Sequence, residues 1–260
     1  MASTPLDGWA PEVYARFAAD RAAPFEDLLS LLTPARRGTL LDLGCGTGAL
    51  TAKAHVALHV ASSLGLDSSA SMLGSAALAN GVTLERRDIA SSLPEGRFDR
   101  VLSNSAFNWI PDHRAYLPRV LRLVANGGEL GVQMPSNQGT PFSDCVLETA
   151  LEFSAPLAGF TYQSPVEPPE VYAELFAREP RVEKSRVGTW YYPQLHPSVE
   201  GLVAFAQGGM LSAYRARLSP EDFERFCARY RAKLLETLGS GPVFFAFRRV
   251  FLFAKLKAAA

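Results

Sequence analysis

The 260-residue sequence is poor in cysteine, and this scarcity argues against disulfides and structural zinc as ways of stabilising the fold. Its three cysteines, Cys45, Cys145 and Cys227, are widely spaced and form no Cys-x-x-Cys pattern. An odd number of isolated cysteines is typical of a reducing compartment and disfavours disulfides and structural zinc. We therefore expect no bound metal and a cytoplasmic location.

Long hydrophobic runs and an excess of charge of one sign are also missing. No apolar run approaches the roughly twenty residues that a membrane-spanning helix requires, and residues 1–7 have no basic stretch leading into an apolar one. Lysine plus arginine equals aspartate plus glutamate at 26 each, so net charge gives no attraction to nucleic acid or an anionic membrane. We expect a monomer or weak homodimer whose partner is a small molecule, not nucleic acid or a membrane.

Short apolar runs alternate with helical patterns in the first half of the chain. The apolar runs predict strands at 39–43, 63–67, 82–85, 98–103 and 129–134. The helical patterns lie at 49–61, 68–79 and 116–124, and a turn is predicted at Asn126-Gly127-Gly128. This alternation is typical of an α/β fold, with a mostly parallel sheet and helices on both of its faces.

The rest of the chain is mostly helical. Residues 11–32 predict one or two helices, which Pro24 kinks or divides. After Pro135 we expect helices near 144–154, 169–177, 199–206 and 220–238, an extended stretch at 181–192 and a last strand at 243–256. With 48% hydrophobic residues, the chain can bury one core as a single domain spanning 1–260. Its predicted parts are an N-terminal helical lid (1–34), a ligand-binding core (35–135), substrate-side helices with a cap (136–242) and the last strand (243–257).

A glycine-rich turn follows the first predicted strand, in the sequence Asp42-Leu43-Gly44-Cys45-Gly46-Thr47-Gly48. Glycines at a strand-to-helix turn let backbone N–H groups approach a ligand, and the helix N-terminus favours a carboxylate or phosphate. The spacing does not match the dinucleotide fingerprint Gly-x-Gly-x-x-Gly and fits a ligand without a pyrophosphate. Cys45 is interpreted as a small buried residue, because nothing near it in the sequence would activate a thiolate.

Polar residues stand at the ends of the next three predicted strands. Asp67 lies about twenty residues beyond the turn, where an acid accepts hydrogen bonds from ribose hydroxyls. Asp88 and Ile89 follow the third strand, where they could meet an adenine amino group and ring face, and Asn104 follows the fourth. Each could be a helix cap or a surface residue when taken alone. Together they favour one ligand site, because parallel sheets bind ligands at the carboxyl ends of their strands.

Two aromatic residues after the fourth strand have structural and functional interpretations. Trp109 either packs in the core or contacts substrate. His113 follows Asp112 and is interpreted as the N-terminal residue of a helix beside its cap, in preference to a general base.

These motifs resemble those of class I S-adenosylmethionine (SAM)-dependent methyltransferases over the central half of the chain. The resemblance implies a Rossmann-like fold and SAM as cofactor. The first motif of that family corresponds to Asp42–Gly48, its ribose-binding acid to Asp67, and its adenine-facing pair to Asp88 and Ile89. The cofactor-binding residues implied are Trp9, Asp42, Gly44, Gly46, Asp67, Ser68, Met72, Asp88, Ile89 and Asn104.

Three stretches are similar to the trans-aconitate 2-methyltransferases of bacteria. They are residues 9–14 with Phe17, Arg21 and 24–29; residues 65–69 with 72–73; and residues 103–113 with 132–135. This resemblance implies O-methylation of a small carboxylate such as trans-aconitate, which forms a methyl ester. It also implies that the N-terminal segment folds over SAM, so that Trp9 and Tyr14 contact the cofactor or form part of the lid; otherwise they pack on the domain.

The similarity weakens after Pro135. The family pattern has Lys and Arg where this chain has Gln207 and Ser212, and Arg215 or Arg217 could replace them as carboxylate-binding cations. We predict that residues 187–217 form the substrate cap. The candidate substrate-binding residues are Tyr14, Trp109, Trp190, Tyr192 and Arg215.

Methyl transfer to a carboxylate requires no general base, because an acid with a pKa of about 4.3 is already ionised at neutral pH. We therefore nominate no catalytic residue. One alternative is a methyltransferase acting on a carrier-bound malonyl group or on an O, N or C atom of a secondary metabolite; another is a SAM-binding protein without catalysis. A nicotinamide-dependent oxidoreductase is disfavoured by the glycine spacing and by the lack of a Tyr-x-x-x-Lys pattern.

Overall fold

The computed structural model describes residues 18–73 and 80–259, with side chains from residue 22 onward. The chain divides into two compact units. Among the described residues, the sheet unit comprises 21–73, 80–136, 165–190 and 249–259. The helical unit comprises 18–20, 137–164 and 191–248. Residues 165–190, from the segment predicted as substrate-side helices and cap, therefore belong to the sheet unit.

Seven strands within the described residues form one sheet in the order β3-β2-β1-β4-β5-β7-β6. They are β1 (Thr39–Leu43), β2 (Ser62–Asp67), β3 (Val82–Arg86), β4 (Phe98–Asn104), β5 (Val124–Pro135), β6 (Val182–His196) and β7 (Val243–Leu256). The neighbouring pairs among β1 to β5 are parallel, whereas β7 is antiparallel to β5. The mostly parallel sheet is confirmed, and the first four predicted strands agree with the structure to within one residue at each end.

Helices connect these strands. They are α1 (Ala18–Leu31), α2 (Ala49–Ala57), α3 (Ala70–Leu73), α4 (His113–Leu121), α5 (Pro141–Glu152), α6 (Pro169–Arg178), α7 (Val199–Gln207), α8 (Ser212–Arg215), α9 (Pro220–Leu238) and a 3-10 helix at Phe107–Trp109. Helix α1 continues through Pro24 without division. Residues 74–79 of the helix predicted at 68–79 lie outside the described residues. Within those residues, no helix is long and apolar enough to cross a membrane.

Successive residues of the central strands pack into two different apolar clusters of the sheet unit. Leu41 of β1 and Val101 of β4 belong to one cluster, and Leu40 and Leu102 belong to the other. Because neighbouring side chains of a strand point to opposite faces, both faces of the sheet are covered here. This explains why the strands appear in the sequence as continuous apolar runs. The helical unit has its own core, rich in aromatic residues: Phe142, Phe205, Tyr214, Phe226, Tyr230 and Phe245.

Two predicted boundaries before β5 are wrong. The helix predicted at 116–124 is α4, which begins at His113 because the Asp112 carboxylate accepts a hydrogen bond from Ala115 N at 3.1 Å. It ends at Leu121, and the turn predicted at 126–128 is part of β5. Gly127 has a φ of 72°, in the left-handed region, and β5 shifts its register against β4 in this stretch.

Two other helices also differ from their predicted bounds. The helix predicted at 49–61 ends at Ala57, and His59 has a φ of 53°, which a helix cannot accommodate. The helix predicted at 144–154 begins at Pro141, because Thr140 and Ser143 cap each other's backbone. The stretch predicted at 181–192 continues as β6 to His196. Helix α8 and the 3-10 helix were not predicted, because segments this short show no periodicity.

Candidate functional site

The loops that follow β1, β2, β3 and β4 leave the same edge of the sheet. These strands are parallel, and their registers pair Asp42 with Gly65 of β2 and with Leu102 of β4. Asp67 pairs with Arg86 at the end of β3. The residues predicted at the four strand ends are therefore brought to one edge, where parallel sheets bind ligands.

The glycine turn after β1 packs closely against β2 and the loop that follows β4. The backbone N–H groups of Gly44 and Cys45 both donate to Leu66 O, at 2.8 and 3.0 Å. Gly44 has a φ of 83°, and a Cβ there would come within 2.1 Å of the Ala106 Cβ, so only glycine fits without a shift. Cys45 is buried, as predicted, and burial raises the pKa of its thiol well above the usual range. This thiol is therefore packed and unreactive.

Asp67 at the end of β2 holds the glycine turn through hydrogen bonds. Its Oδ2 accepts from Gly46 N at 2.8 Å, and its Oδ1 accepts from Ser69 N at 2.9 Å. Ser69 Oγ in turn accepts from Met72 N at 3.3 Å, which caps α3. A carboxylate oxygen can accept more than one hydrogen bond, so Asp67 can keep both backbone contacts and still accept from a ligand hydroxyl.

Asp42, near the end of β1, is a buried acid with one unsatisfied oxygen. It is 2% exposed, and its Oδ2 accepts from Thr51 Oγ1 of α2 at 2.5 Å. Its Oδ1 has no hydrogen-bond partner in the part of the chain that the structure describes. Burial raises the pKa of Asp42 to about 7; the Thr51 hydrogen bond opposes this rise, and the charge of Asp67 adds to it. A positive charge bound near this carboxylate would favour its ionised form.

The residues that flank Asp67 and follow β3 are fixed mainly by backbone contacts. Asp88 Oδ1 accepts from Ala90 N at 3.0 Å, and its Oδ2 accepts from Ser91 Oγ at 3.1 Å. The Ser68 carbonyl accepts from Arg86 Nε at 3.2 Å. Asp88 therefore caps its own loop and, like Asp67, can also accept from a ligand.

Two apolar side chains flank the glycines of the turn. The Met72 methyl group lies 3.2 Å from the position of a Cβ at Gly46, and Ile89 Cδ1 lies 4.0 Å from the position of a Cβ at Gly44. Ile89 is buried, and its carbonyl accepts a hydrogen bond from Tyr116 Oη at 2.9 Å. The edge thus combines acidic acceptors with apolar surface, which suits a ligand that has hydroxyls, a positive charge and a flat ring.

A network of polar side chains lies at the ends of β4 and β5 and within β7. The buried Arg249 donates through Nη1 to Gln133 Oε1 at 2.8 Å and to Ser105 Oγ at 2.5 Å. Gln133 Nε2 donates to Asn104 Oδ1 and to Ser105 Oγ, the latter at 3.1 Å. Of these four residues, only Asn104 was predicted from the sequence as a site residue. The signals for Gln133 and Arg249 were polar side chains within the mainly apolar strands β5 and β7.

His113 is a structural residue, as predicted, and is the first residue of α4. Its Nε2 lies 2.8 Å from the Phe107 carbonyl, which can only accept, so Nε2 carries the proton. Its Nδ1 lies 2.5 Å from Tyr172 Oη and accepts from that hydroxyl. Burial lowers the pKa of His113, so the ring is neutral with both nitrogens engaged. The half-buried Trp109 lies in the adjoining 3-10 helix, and its contact with substrate stays a prediction.

The other predicted substrate residues that the structure describes pack on apolar or aromatic neighbours. In the sheet unit, the ring centroid of Trp190 lies 4.4 Å from that of Phe251. In the helical unit, Tyr192 packs against the apolar core, and the Arg215 guanidinium lies 4.8 Å from the centre of the Phe223 ring. The roles of these residues in substrate binding stay predictions. The predicted lid residues Trp9 and Tyr14 lie outside the described residues.

Sequence comparison identifies the family. A profile described as "Methyltransferase domain" matches residues 41–132, which contain the four strand ends. The trans-aconitate 2-methyltransferase of Deinococcus radiodurans is 37% identical to this chain over 255 residues, which cover 95% of this chain and 97% of that one. This chain belongs to the methyltransferase family. Another relative, the trans-aconitate 2-methyltransferase of Escherichia coli O1:K1, is 31% identical over 96% of this chain and 99% of its own.

Solved structures share the fold. The YcgJ protein of Bacillus subtilis has a TM-score of 0.61 at 14% identity, covering 92% of this chain and 100% of that one. The phosphoethanolamine N-methyltransferase 2 of Haemonchus contortus, solved in complex with SAM, has a TM-score of 0.57 at 18% identity, covering 91% of this chain and 53% of that one. The predicted Rossmann-like fold of class I methyltransferases is confirmed.

Proposed function

We propose that this methyltransferase transfers the methyl group of SAM to a carboxylate oxygen of trans-aconitate, or of a closely related small polycarboxylate, and so forms a methyl ester. One observation carries the choice of acceptor: the similarity to relatives named trans-aconitate 2-methyltransferase extends over nearly the full length of both chains. The match therefore includes residues 136–242, where we propose that the substrate-side helices and cap lie, in addition to the proposed cofactor-binding core.

The residues at the strand ends fit SAM. The carboxylate of the buried Asp42, next to the glycine turn, would favour a positive charge nearby, such as the ammonium group of the methionyl part. Asp67 can accept from the ribose hydroxyls while it holds Gly46 and Ser69. Asp88 and the buried Ile89 suit the amino group and the ring face of adenine.

The chemistry needs positioning more than it needs proton transfer. When bound, SAM supplies a methyl group activated by a sulfonium, and its demethylated product is S-adenosylhomocysteine. The acceptor carboxylate is already ionised at neutral pH, so no side chain has to remove a proton. The residues of the chain contribute by aligning the two ligands and excluding water, effects worth on the order of several kcal/mol of the barrier.

A labelling experiment tests the function. Purified protein is incubated with methyl-labelled SAM and, separately, with trans-aconitate, cis-aconitate, citrate and a monocarboxylate. We expect label in a base-labile ester of trans-aconitate and none on the monocarboxylate. No transfer to any of the acids would contradict the proposed acceptor. Calorimetric titration with SAM, performed on the same sample, separates this outcome from a failure to bind the cofactor.

We propose further assignments for this chain. They are the cofactor and substrate residues named above, the division of the single chain into lid, core, cap and last strand, the monomeric or weakly dimeric state and the cytoplasmic location. The names of the relatives support a small-molecule acceptor.

A further inference from the structure

The buried guanidinium of Arg249 fixes the direction of a chain of polar side chains in the sheet unit. A guanidinium carries hydrogen-bond donors and no acceptor. Arg249 Nη1 donates to Gln133 Oε1 at 2.8 Å, so the amide oxygen of Gln133 must face β7. The amide nitrogen of Gln133 therefore faces away from Arg249 and can only donate.

The orientation of the Gln133 amide in turn fixes the orientation of the amide of Asn104, the last residue of β4. Gln133 Nε2 donates to Asn104 Oδ1, which fixes the oxygen of the second amide as an acceptor. The two N–H groups of Asn104 Nδ2 then face elsewhere, and no described residue accepts from them. Asn104 is half-buried at the carboxyl edge of the sheet. These two donors therefore remain available to a ligand at that edge.

The next residue, Ser105, also keeps a hydrogen-bond donor that a ligand could use. Its Oγ accepts from Arg249 Nη1 at 2.5 Å and from Gln133 Nε2 at 3.1 Å, which occupies both lone pairs, so its O–H can only donate. Ser105 has a φ of 61°, and the chain then continues to Ala106, whose Cβ abuts Gly44. The loop that carries Ser105 therefore continues to a close contact with the glycine turn.

We propose that Arg249 and Gln133 are positioning residues that present the donors of Asn104 and Ser105 to a carboxylate bound at this edge. We call the hydrogen-bonded chain of Arg249, Gln133, Asn104 and Ser105 the relay. A carboxylate only accepts hydrogen bonds, so it matches the donor end of this relay and would be repelled if the amides were reversed. The inference rests on the proposed function, in which two ligands carry a carboxylate: the methyl acceptor and the methionyl part of SAM. Both carboxylates would accept the same hydrogen bonds, and the experiment shows which of the two ligands supplies the carboxylate.

The test reverses the relay with the nearly isosteric substitution Gln133→Glu. The new carboxylate still accepts from Arg249, but it offers Asn104 an oxygen in place of a donor. The Asn104 amide then turns its own N–H groups toward Glu and its oxygen toward the ligand. We expect binding of the carboxylate ligand to weaken roughly ten- to a hundred-fold, the loss of hydrogen bonds to a charged group, with an unchanged unfolding temperature.

Matched variants separate the effect of hydrogen-bond direction from the effects of side-chain charge and of side-chain packing. Arg249→Lys keeps a donor-only cation and is expected to retain most of the affinity, whereas Arg249→Met is expected to behave like Gln133→Glu. Asn126→Asp makes the same amide-to-carboxylate change at an exposed position near the other end of β5 and is expected to leave binding unchanged. If Gln133→Glu does not fold, Asn104→Asp gives the same test, because it preserves the acceptor for Gln133 and replaces the free N–H groups with an oxygen.

Two measurements identify the carboxylate. A rise in the KM for trans-aconitate with an unchanged Kd for SAM supports the methyl acceptor. A weaker affinity for SAM with an unchanged affinity for decarboxylated SAM supports the methionyl carboxylate. A folded Gln133→Glu protein with both values within about two-fold of wild type would overturn the inference. Failure of the wild-type protein to bind SAM or methylate any acid would overturn the proposed function and, with it, the relay.

Discussion

The buried carboxylate of Asp42 makes the stability of the ligand-free protein depend on pH. Its pKa is about 7 in the folded state against 3.8 for an ordinary aspartate, so the folded protein binds this proton more tightly than the unfolded chain does. The resulting contribution to stability is fully present below about pH 4 and is lost as the pH rises through about 7.

We expect Asp42→Asn to remove this dependence, because an amide keeps the shape of the group and does not titrate. The unfolding free energies of the two proteins, measured by urea denaturation between pH 4 and 8, should diverge in favour of the variant as the pH rises. Parallel curves would show that Asp42 ionises normally. The same variant should bind SAM more weakly, because it lacks the negative charge.

The role proposed for Asp67 is tested by Asp67→Ala. Because hydrogen bonds to a charged acceptor are worth about 1.5 to 3 kcal/mol each, we expect the Kd for SAM in calorimetry to rise at least about ten-fold. Glu95→Ala, which removes an acid from an exposed position, serves as the control. Equal affinity in the Asp67 variant and wild type would remove Asp67 from the site.

The place of individual proposed site residues in the fold could be predicted from the sequence where spacing along the chain decides it. Asp42 lies next to the end of β1 and Asp67 ends the parallel β2, so their spacing from the glycine turn was sufficient to place both at one edge of the sheet. The pairing of Arg249 with Gln133 depends on β7 lying antiparallel to β5, with Pro135 opposite Arg249. No local pattern contains that information, because the pairing joins distant parts of the chain.

At the scale of a single element, the glycine turn gives a test that separates backbone strain from crowding. Gly44 and Gly96 both have positive φ, 83° and 95°, but a Cβ at Gly96 would meet nothing within 4 Å. Gly96→Ala should therefore cost only the strain of the left-handed region, about 1 to 2 kcal/mol. Gly44→Ala should cost more and should weaken SAM binding, because Ala106 has to move. Equal losses in denaturation experiments would mean that the contact with Ala106 is unimportant.

The connection after α1 is fixed to the sheet by a buried ion pair. Arg100 Nε of β4 lies 3.3 Å from Glu129 Oε2 of β5, and these side chains are 8% and 3% exposed. Thr33, just after α1, donates through its backbone N–H to Glu129 Oε2 at 2.7 Å, and its carbonyl accepts from Arg100 Nε at 2.6 Å. The charges are thus paired and also bonded to the backbone, which is what burial of an ion pair requires.

We expect Glu129→Ala to lower the free energy of unfolding by about 3 kcal/mol or more, because Arg100 would keep a buried charge without its partner. The exposed pair formed by Glu174 and Arg178 in α6 provides the comparison, and Glu174→Ala should change stability little. Similar effects of the two substitutions in urea denaturation would argue against the buried pair.

Element types were predicted better than element ends. The start of α4 depends on the Asp112 cap, which the sequence displayed, but the start of β5 depends on the pairing of Val124 with Phe98. That pairing lets the strand include Gly127, which otherwise signals a helix C-terminus. Local turn chemistry and strand pairing gave opposite signals at this point, and pairing decided the structure.

At the scale of the whole molecule, the proposed cofactor site lies on peptides of the sheet unit. We expect S-adenosylhomocysteine to slow hydrogen exchange most in peptides covering 42–48, 66–69 and 87–91, since bound ligand opposes local opening. Peptides from α9 in the helical unit provide the internal comparison. Protection confined to the helical unit would place the cofactor elsewhere.

The alternation of strands and helices was sufficient to predict the parallel half of the sheet. It could not predict the division into a sheet unit and a helical unit, because each unit gathers segments that are distant in sequence. The segment 165–190 shows the difficulty: it follows α5 of the helical unit, yet Tyr172 and Phe176 are buried in the core of the sheet unit. Apolar periodicity marked α6 as a helix without indicating which core it enters.

The antiparallel pairing of β7 with β5 has a consequence for protein synthesis. Translation produces Asp42, Asp67 and Asp88 before Arg249, which follows with β7. Under the proposed relay, the amide of Gln133 is oriented once β7 pairs with β5, which follows the synthesis of the three loops that we propose bind the nucleoside.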